Sequence, residues 1–232
     1  MVRQIRQLFD AASSTYTYLV ADHGEALLID PVLEQLERDL GLLAELGLRL
    51  VAVLDTHVHA DHVTAAGALR ERTGAVTGAS ALGAPCVDRG LRDGDTVQVG
   101  ALVGHVLATP GHTDDHLAYH WPALGAVMTG DALLIRGCGR TDFQNGDAAT
   151  LYRSITTRLF ALPEETVVWP GHDYRGQTAS TIGEERRWNP RVAGRSEAEF
   201  VALMAALDLP RPNLIDQAVP ANRACGRPPQ SA

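Results

Sequence analysis

Lysine is absent from this 232-residue chain, so every permanently charged basic side chain is an arginine. The absence of lysine excludes Schiff-base chemistry and any catalytic ammonium group. Acidic residues outnumber basic ones and give a net charge of −8. Nucleic acids and anionic membranes are bound by basic surfaces, so neither is predicted as a partner.

Cysteine is also scarce, since only Cys86, Cys138 and Cys225 occur. Their odd number and wide spacing predict no disulfide, which favours a reducing compartment. The first residues include arginines but lack the apolar stretch of a secretion signal, and no window is long enough to span a membrane. We therefore predict a cytoplasmic protein.

The remaining composition is that of an ordinary folded protein. Apolar residues make up 45% of the chain and charged residues 21%, as in soluble globular domains. No internal repeat and no low-complexity linker divides the sequence. We predict one domain over residues 1–232, with residues 226–232 disordered.

Hydrophobic periodicity predicts alternating strands and helices. Residues 16–20 and 26–29 predict a hairpin. Short apolar runs at residues 51–54, 126–129 and 166–169 predict buried strands, and shorter strands are predicted at 96–99, 102–108 and 117–119. Helices are predicted at residues 33–46, 62–72, 147–160, 177–188 and 197–207. The proline-rich end from residue 210 is predicted to be irregular.

The seven residues from Thr56 to His62 carry three imidazoles and one carboxylate, directly after a buried strand. These groups are ligands for iron, zinc or manganese, and the absence of thiolates from the cluster excludes an iron–sulfur site. If the chain stays extended, His57, His59 and Asp61 point to the same side, and His62 opens the next helix. The stretch therefore predicts a metal site.

Three later turns place further ligand-type residues after strands, namely His112, Asp131 and His172. The carboxyl ends of neighbouring strands share one edge in layered α/β folds, so we expect these residues to meet the first cluster. Three other histidines lie in strand-like segments and are not predicted to bind metal: His105, His116 and His120.

The order His-x-His-x-Asp-His, Gly-His-Thr, Gly-Asp and Gly-His resembles the metallo-β-lactamase superfamily. This resemblance implies an α/β fold, the four-layer αββα sandwich, with two β-sheets face to face, helices outside and the metal at one edge. A longer match is similar to the persulfide dioxygenases, also called sulfur dioxygenases. It includes residues 130–144, the Gly-His-Asp-Tyr at 171–174 and the Ala-Val-Pro-Ala-Asn at 218–222.

That resemblance implies oxidation of glutathione persulfide by O₂ to sulfite and glutathione, at one Fe(II) per chain. The catalytic residues and iron ligands carried over by position are His57, His112 and Asp131. The supporting groups carried over around them are His59, Asp61, His62 and His172. The expected substrate contacts are Arg140, Tyr174 and Arg223, and Cys138 is a candidate for the pocket wall. The expected partners are glutathione persulfide and O₂, and a homodimer is compatible with the sequence.

Two alternatives stay open. A glyoxalase II-like hydroxyacylglutathione hydrolase would bind two metals, the second at Asp61, His62 and His172. It shares the ligands and a Gly-Cys-Gly-Arg segment, but the C-terminal region is short for the separate helical substrate domain of those enzymes. A non-catalytic, metal-stabilised binding module would not need so many ligand-type groups at one edge.

Overall fold

The computed structural model describes residues 3–227, which form two compact units. The first unit contains residues 3–91, 97–103 and 211–227, and the second contains residues 92–96 and 104–210. None of the helices in the described range is long and apolar enough to cross a membrane.

The first sheet has six strands in the spatial order of the sequence: β1 (Gln4–Asp10), β2 (Thr15–Asp22), β3 (Glu25–Ile29), β4 (Arg49–Leu54), β5 (Val76–Ser80) and β6 (Arg89–Leu91). The pairs β1–β2 and β2–β3 are antiparallel, and the strands from β3 to β6 are parallel. The predicted hairpin is confirmed. Its turn residues His23 and Gly24 have φ angles of 49° and 82°, which two-residue hairpin loops require.

Two helices pack on the first sheet: α1 (Leu36–Glu45), preceded by a 3₁₀ turn at Leu33–Gln35, and α2 (Ala66–Thr73). Leu43 of α1 and Leu69 of α2 share a buried cluster with Leu19 and Leu28 of the sheet. Each such buried leucine stabilises the fold by about 1.5–3 kcal/mol.

The prediction that His62 opens the second helix was wrong, because α2 begins only at Ala66. Thr64 forms an antiparallel bridge with Val32, and its hydroxyl donates to Asp55 Oδ1 at 2.9 Å. These contacts hold the residues before the helix in a non-helical path.

The second sheet also has six strands: β7 (Thr96–Val99), β8 (Leu102–Ala108), β9 (Leu117–Trp121), β10 (Ala126–Gly130), β11 (Val167–Pro170) and β12 (Ser180–Thr181). Their spatial order is β12-β11-β10-β9-β8-β7. Strand β9 is antiparallel to β8 and β10, whereas β10 and β11 are parallel. The strands predicted in this region are confirmed to within two residues.

Three helices belong to the second unit: α3 (Ala148–Arg153), which continues as a π-helical turn at Ser154–Leu159, α4 (Ile182–Trp188) and α5 (Glu197–Ala205). Asp147 caps α3 as predicted, because its side chain accepts a hydrogen bond from Thr150 N at 2.7 Å. The helix predicted from residue 177 begins only at Ile182. Ser180 and Thr181 pair with β11 instead, and Thr181 Oγ1 caps α4.

The C-terminal region was predicted to be irregular, and this was wrong, because Ile215–Arg223 forms helix α6. Pro220 removes one helical hydrogen bond, but the neighbouring Ala218 and Ala221 are buried, and this packing offsets the loss. Disorder was also wrongly predicted for residues 226 and 227. Gly226 N donates to Ala221 O at 2.8 Å, and Arg227 pairs with Glu71. Residues 228–232 lie outside the described residues.

Cys86 and Cys225 form a disulfide, which corrects the prediction that the chain has none. The two residues are 139 positions apart in sequence, yet their Cα atoms lie 5.8 Å apart within the first unit. Sequence spacing carries no signal of such long-range proximity. Cys138 is a buried free thiol. The cysteine content therefore no longer favours a reducing compartment.

Candidate metal centre

In the first unit, residues 55–64 form the loop between β4 and α2, called here the histidine loop. The strand ends at Leu54 and the loop bends after it, so the predicted extended alternation through Asp61 is absent. The rings of His57 and His59 lie 4.1 Å apart between centroids, and those of His59 and His62 lie 4.3 Å apart. All three imidazoles are buried. The loop thus gathers its imidazoles by bending back on itself.

Asp30, at the end of β3, fixes the start of the histidine loop. Its Oδ1 accepts from Thr56 N at 2.6 Å and its Oδ2 from the Thr56 hydroxyl at 2.9 Å. The backbone of Asp30 has a φ of 52°, a left-handed conformation that costs about 1–2 kcal/mol for a residue with a side chain. These bonds offset that cost. The sequence analysis did not assign Asp30 a role, although an aspartate directly after a buried strand was the available signal.

His59 lies against the same carboxylate, with Nε2 3.0 Å from Asp30 Oδ1. Burial disfavours its imidazolium, but the charge and hydrogen bond of Asp30 outweigh burial and raise the pKa of His59 to about 9. The Asp30 carboxylate thus fixes the orientation of the His59 imidazole.

Ligand-type atoms of His59, Asp61 and His62 all lie within 4.8 Å of one another. Asp61 Oδ2 accepts from the Thr15 hydroxyl at 3.0 Å and lies 2.9 Å from His62 Nδ1. Two imidazoles and a carboxylate at this spacing are a donor set that divalent transition metals accept. The first unit therefore holds a candidate metal-binding group, His59, Asp61 and His62, in addition to the proposed ligand His57.

In the second unit, His112, Asp131 and His172 lie together. They follow β8, β10 and β11, three strands that run in the same direction, so their carboxyl ends share one edge of the sheet. His112 Nε2 lies 3.6 Å from Asp131 Oδ2, and His172 Nδ1 lies 2.6 Å from Asp131 Oδ1. One carboxylate is thus flanked by two imidazoles.

The orientation of His112 is set by the backbone beneath it. Its Nδ1 donates to Arg140 O at 2.7 Å, so the lone pair available for a metal is on Nε2, the nitrogen nearest Asp131. Gly139 makes this contact possible, because a Cβ at that position would lie 2.6 Å from His112 Nδ1 and 2.7 Å from Asp131 O. A side chain there would displace the imidazole.

His116 also supports Asp131, a role that the sequence analysis missed. Its Nε2 accepts a hydrogen bond from Asp131 N at 3.0 Å, and its Nδ1 lies 2.9 Å from the Thr109 hydroxyl. The only signal was its position four residues after His112. By contrast, His105 and His120 face each other across β8 and β9, with ring centroids 6.5 Å apart.

The three expected substrate residues differ in their surroundings. Arg140 bonds both oxygens of Asp142 at 2.6 and 2.7 Å and donates to Pro210 O at 2.6 Å. Tyr174 is 72% exposed, with its ring parallel to that of His172 at 6.0 Å between centroids. Arg223 is an exposed residue of α6. Tyr174 and Arg223 are therefore accessible, whereas Arg140 is held by its neighbours.

Arg140, Thr141 and Asp142 border a cavity of about 300 Å³ in the second unit, and apolar side chains of α3, of α5 and of the residues after α5 line the rest of it. Cys138 is not among the residues that line this cavity. Its Sγ lies 3.8 Å from Met204 Sδ, and burial raises the pKa of its thiol to about 11. Cys138 is thus a packing residue of the core.

The family model described as metallo-beta-lactamase superfamily matches residues 11–85 and 87–172. The chain therefore belongs to the metallo-β-lactamase superfamily, whose fold is an α/β sandwich of two mixed sheets with helices, and the predicted fold class is confirmed. The matched residues come from both units. The single domain stays a prediction.

Relatives narrow this assignment. Persulfide dioxygenase ETHE1, mitochondrial, from Bos taurus is 48% identical over 225 residues, which are 96% of this chain and 88% of that protein. The crystal structure of ETHE1 from Myxococcus xanthus has a TM-score of 0.95 and 61% identity, covering 98% of this chain and 100% of the other. Within the superfamily, the chain belongs to the persulfide dioxygenase family.

The alternative family is more distant. A hydroxyacylglutathione hydrolase from Cereibacter sphaeroides is 40% identical over 177 residues, which are 72% of this chain and 66% of that protein. About a third of the hydrolase lies outside this match.

Proposed function

We propose that the protein oxidises glutathione persulfide with O₂ to sulfite and glutathione, at one Fe(II) held by His57, His112 and Asp131. The observation that carries the proposal is the similarity to persulfide dioxygenases over 96% of the chain. Iron, glutathione and the three ligands are our inference from that family and from the donor chemistry. A set of two histidines and one carboxylate suits a non-haem Fe(II) with open coordination positions.

Residues present in the chain fit this metal. His112 presents Nε2 next to Asp131 Oδ2, and both groups are oriented by hydrogen bonds from the surrounding chain. His57 is buried, and its Nδ1 lies 2.9 Å from the Thr56 hydroxyl. We propose that His57 supplies the third ligand, with His59, Asp61, His62 and His172 as supporting groups.

The iron would supply the redox chemistry, which transfers four electrons from the terminal persulfide sulfur to O₂. Two oxygen atoms of sulfite then derive from O₂ and the third from water, and glutathione leaves as the thiol. The work of the chain is to orient ligands and substrate. His172 holds Asp131 through the 2.6 Å bond to Oδ1, which directs that carboxylate.

Substrate contacts follow the chemistry of glutathione, which carries two carboxylates. Arg223 and Tyr174 are exposed, and we propose that they donate to the substrate. We keep Arg140 as a substrate residue because it borders the cavity. Since Arg140 already bonds Asp142, a substrate carboxylate would have to share its guanidinium.

A cytoplasmic location and a homodimer stay predictions. The disulfide removes the cysteine argument for a reducing compartment, and the name of the bovine relative includes the word mitochondrial. Neither observation assigns a compartment to this chain.

The test combines metal analysis of anaerobically purified protein with an oxygen electrode. We expect one iron per chain, O₂ uptake with glutathione persulfide, and sulfite as the product. Asp131→Ala should abolish both the uptake and the bound iron, because it removes a ligand. Two tightly bound metals per chain, with fast hydrolysis of S-lactoylglutathione and no O₂ uptake, would establish the hydrolase alternative instead.

A further inference from the structure

Asn222 of α6 bonds the backbone of the histidine loop at three points. Its Nδ2 donates to His59 O and to His62 O, both at 2.9 Å, and its Oδ1 accepts from Thr64 N at 2.8 Å. Both N–H donors and the carbonyl acceptor of the amide are thereby used on one loop. The side chain is 3% exposed, so water does not replace these bonds easily.

The end of α6 is seated against the same loop. A Cβ on Gly226 would lie 2.0 Å from Thr64 O, so only glycine fits there. Cys225 O accepts from Gly67 N at 2.9 Å, and the Cys225 side chain is joined by the disulfide to Cys86. The end of α6, which carries Asn222, is therefore held against Thr64 before α2 and is joined covalently to Cys86 after α2.

We propose that Asn222 is a positioning residue for metal binding, acting through the backbone of the histidine loop. It closes the loop by joining residues 59, 62 and 64, and this holds the bend that presents His57. Without the amide, two buried carbonyls and one buried N–H lose their partners, and the loop gains alternative conformations. The inference rests on the proposed ligation by His57, but not on the identity of the substrate.

The test measures Fe(II) affinity anaerobically, by competition with a chromophoric chelator, in Asn222→Ala and Asn222→Asp. Outer groups that orient ligands typically change metal affinity 10–100-fold, and we expect a loss in that range for both variants. Asp keeps the acceptor for Thr64 N but loses both donors. Hydrogen exchange should therefore show a protected Thr64 amide in Asn222→Asp and a rapidly exchanging one in Asn222→Ala.

Leu43→Ala is the matched control, because it opens a cavity under α1 in the same unit. It should lower the unfolding midpoint without changing Fe(II) affinity. If an Asn222 variant loses as much stability as Leu43→Ala but keeps its Fe(II) affinity within twofold, Asn222 is merely structural and the proposal fails. If Asn222→Ala does not fold, Asn222→Asp decides alone. Wild-type protein that binds iron but does not consume persulfide would refute the proposed function and leave this inference standing.

Discussion

His172 donates from Nδ1 to Asp131 Oδ1 at 2.6 Å, so the proposed carboxylate ligand is held by an imidazole that the proposed iron does not need. This bond leaves Oδ2 as the oxygen beside His112. The same histidine would be a ligand in a two-metal site. Its substitution therefore distinguishes a supporting role from ligation of a second metal.

We predict that His172→Ala weakens Fe(II) binding about 10-fold, because Asp131 loses its orienting donor. His172→Gln, whose amide can also donate, should recover part of that affinity. Both variants should still bind no more than one iron per chain, measured by metal analysis after anaerobic loading. A wild-type protein with two metals, reduced to one in His172→Ala, would contradict the supporting role.

Arg140 and Asp142 allow a substrate contact to be separated from a structural one. If Arg140 binds a substrate carboxylate, Arg140→Ala should raise KM for glutathione persulfide about 10–100-fold with a smaller change in kcat. Asp142→Asn weakens the pair but keeps the guanidinium, so its KM should stay within a fewfold of wild type. Equal losses of stability in both variants, with KM unchanged, would assign Arg140 to the structure alone.

The disulfide predicts a thiol count. Wild-type protein unfolded without reductant should show one reactive thiol, that of Cys138, and three after reduction. Cross-linking so distant a pair restricts the unfolded chain, so Cys86→Ser should lower the free energy of unfolding by roughly 2–5 kcal/mol. Denaturant titration of the variant measures this loss. Three thiols in the unreduced protein would contradict the bond.

Asp39 of α1 predicts a pH dependence of stability. Burial raises the pKa of its carboxyl, and the Arg38 ion pair at 2.8 Å offsets this only in part. The folded state therefore holds the proton more tightly than the unfolded state, and stability falls as pH rises from the ordinary carboxyl pKa through the raised one. The loss persists at neutral pH.

Asp39→Asn should accordingly raise the free energy of unfolding at pH 7 by about 1 kcal/mol, with the advantage shrinking at low pH. Glu37→Gln on the exposed side of the same helix is the control, since its partner Arg72 is also exposed. It should change stability by less than about 0.5 kcal/mol at either pH. Denaturant titrations at pH 7 and pH 3.5 measure both variants.

Local patterns were sufficient to predict most of the sheet strands. Short apolar runs such as residues 126–129 usually form buried strands, and the turn at His23 and Gly24 depends on those two residues alone. The ligand-type residues after β8, β10 and β11 were also visible, because strand direction places them at one edge. These features depend on neighbours in sequence.

Features that depend on distant contacts could not be predicted in this way. Helix α6 exists despite Pro220 because its alanines are buried, and burial is invisible in the sequence. Asp30 bonds the histidine loop from 26 positions away in sequence, and Asn222 bonds it from about 160 positions away. No local sequence pattern predicts these hydrogen bonds. His62 reads as a helix start, yet the bridge at Thr64 delays the helix.

The bond between Cys86 and Cys225 also changes the covalent map of the chain. The entire second unit, residues 92–96 and 104–210, is enclosed in a ring whose two ends are anchored in the first unit. A single proteolytic cut anywhere in that ring would leave both fragments joined. Such a nicked molecule would migrate as an intact chain until the disulfide is reduced. Unfolding of the second unit would not separate the two fragments.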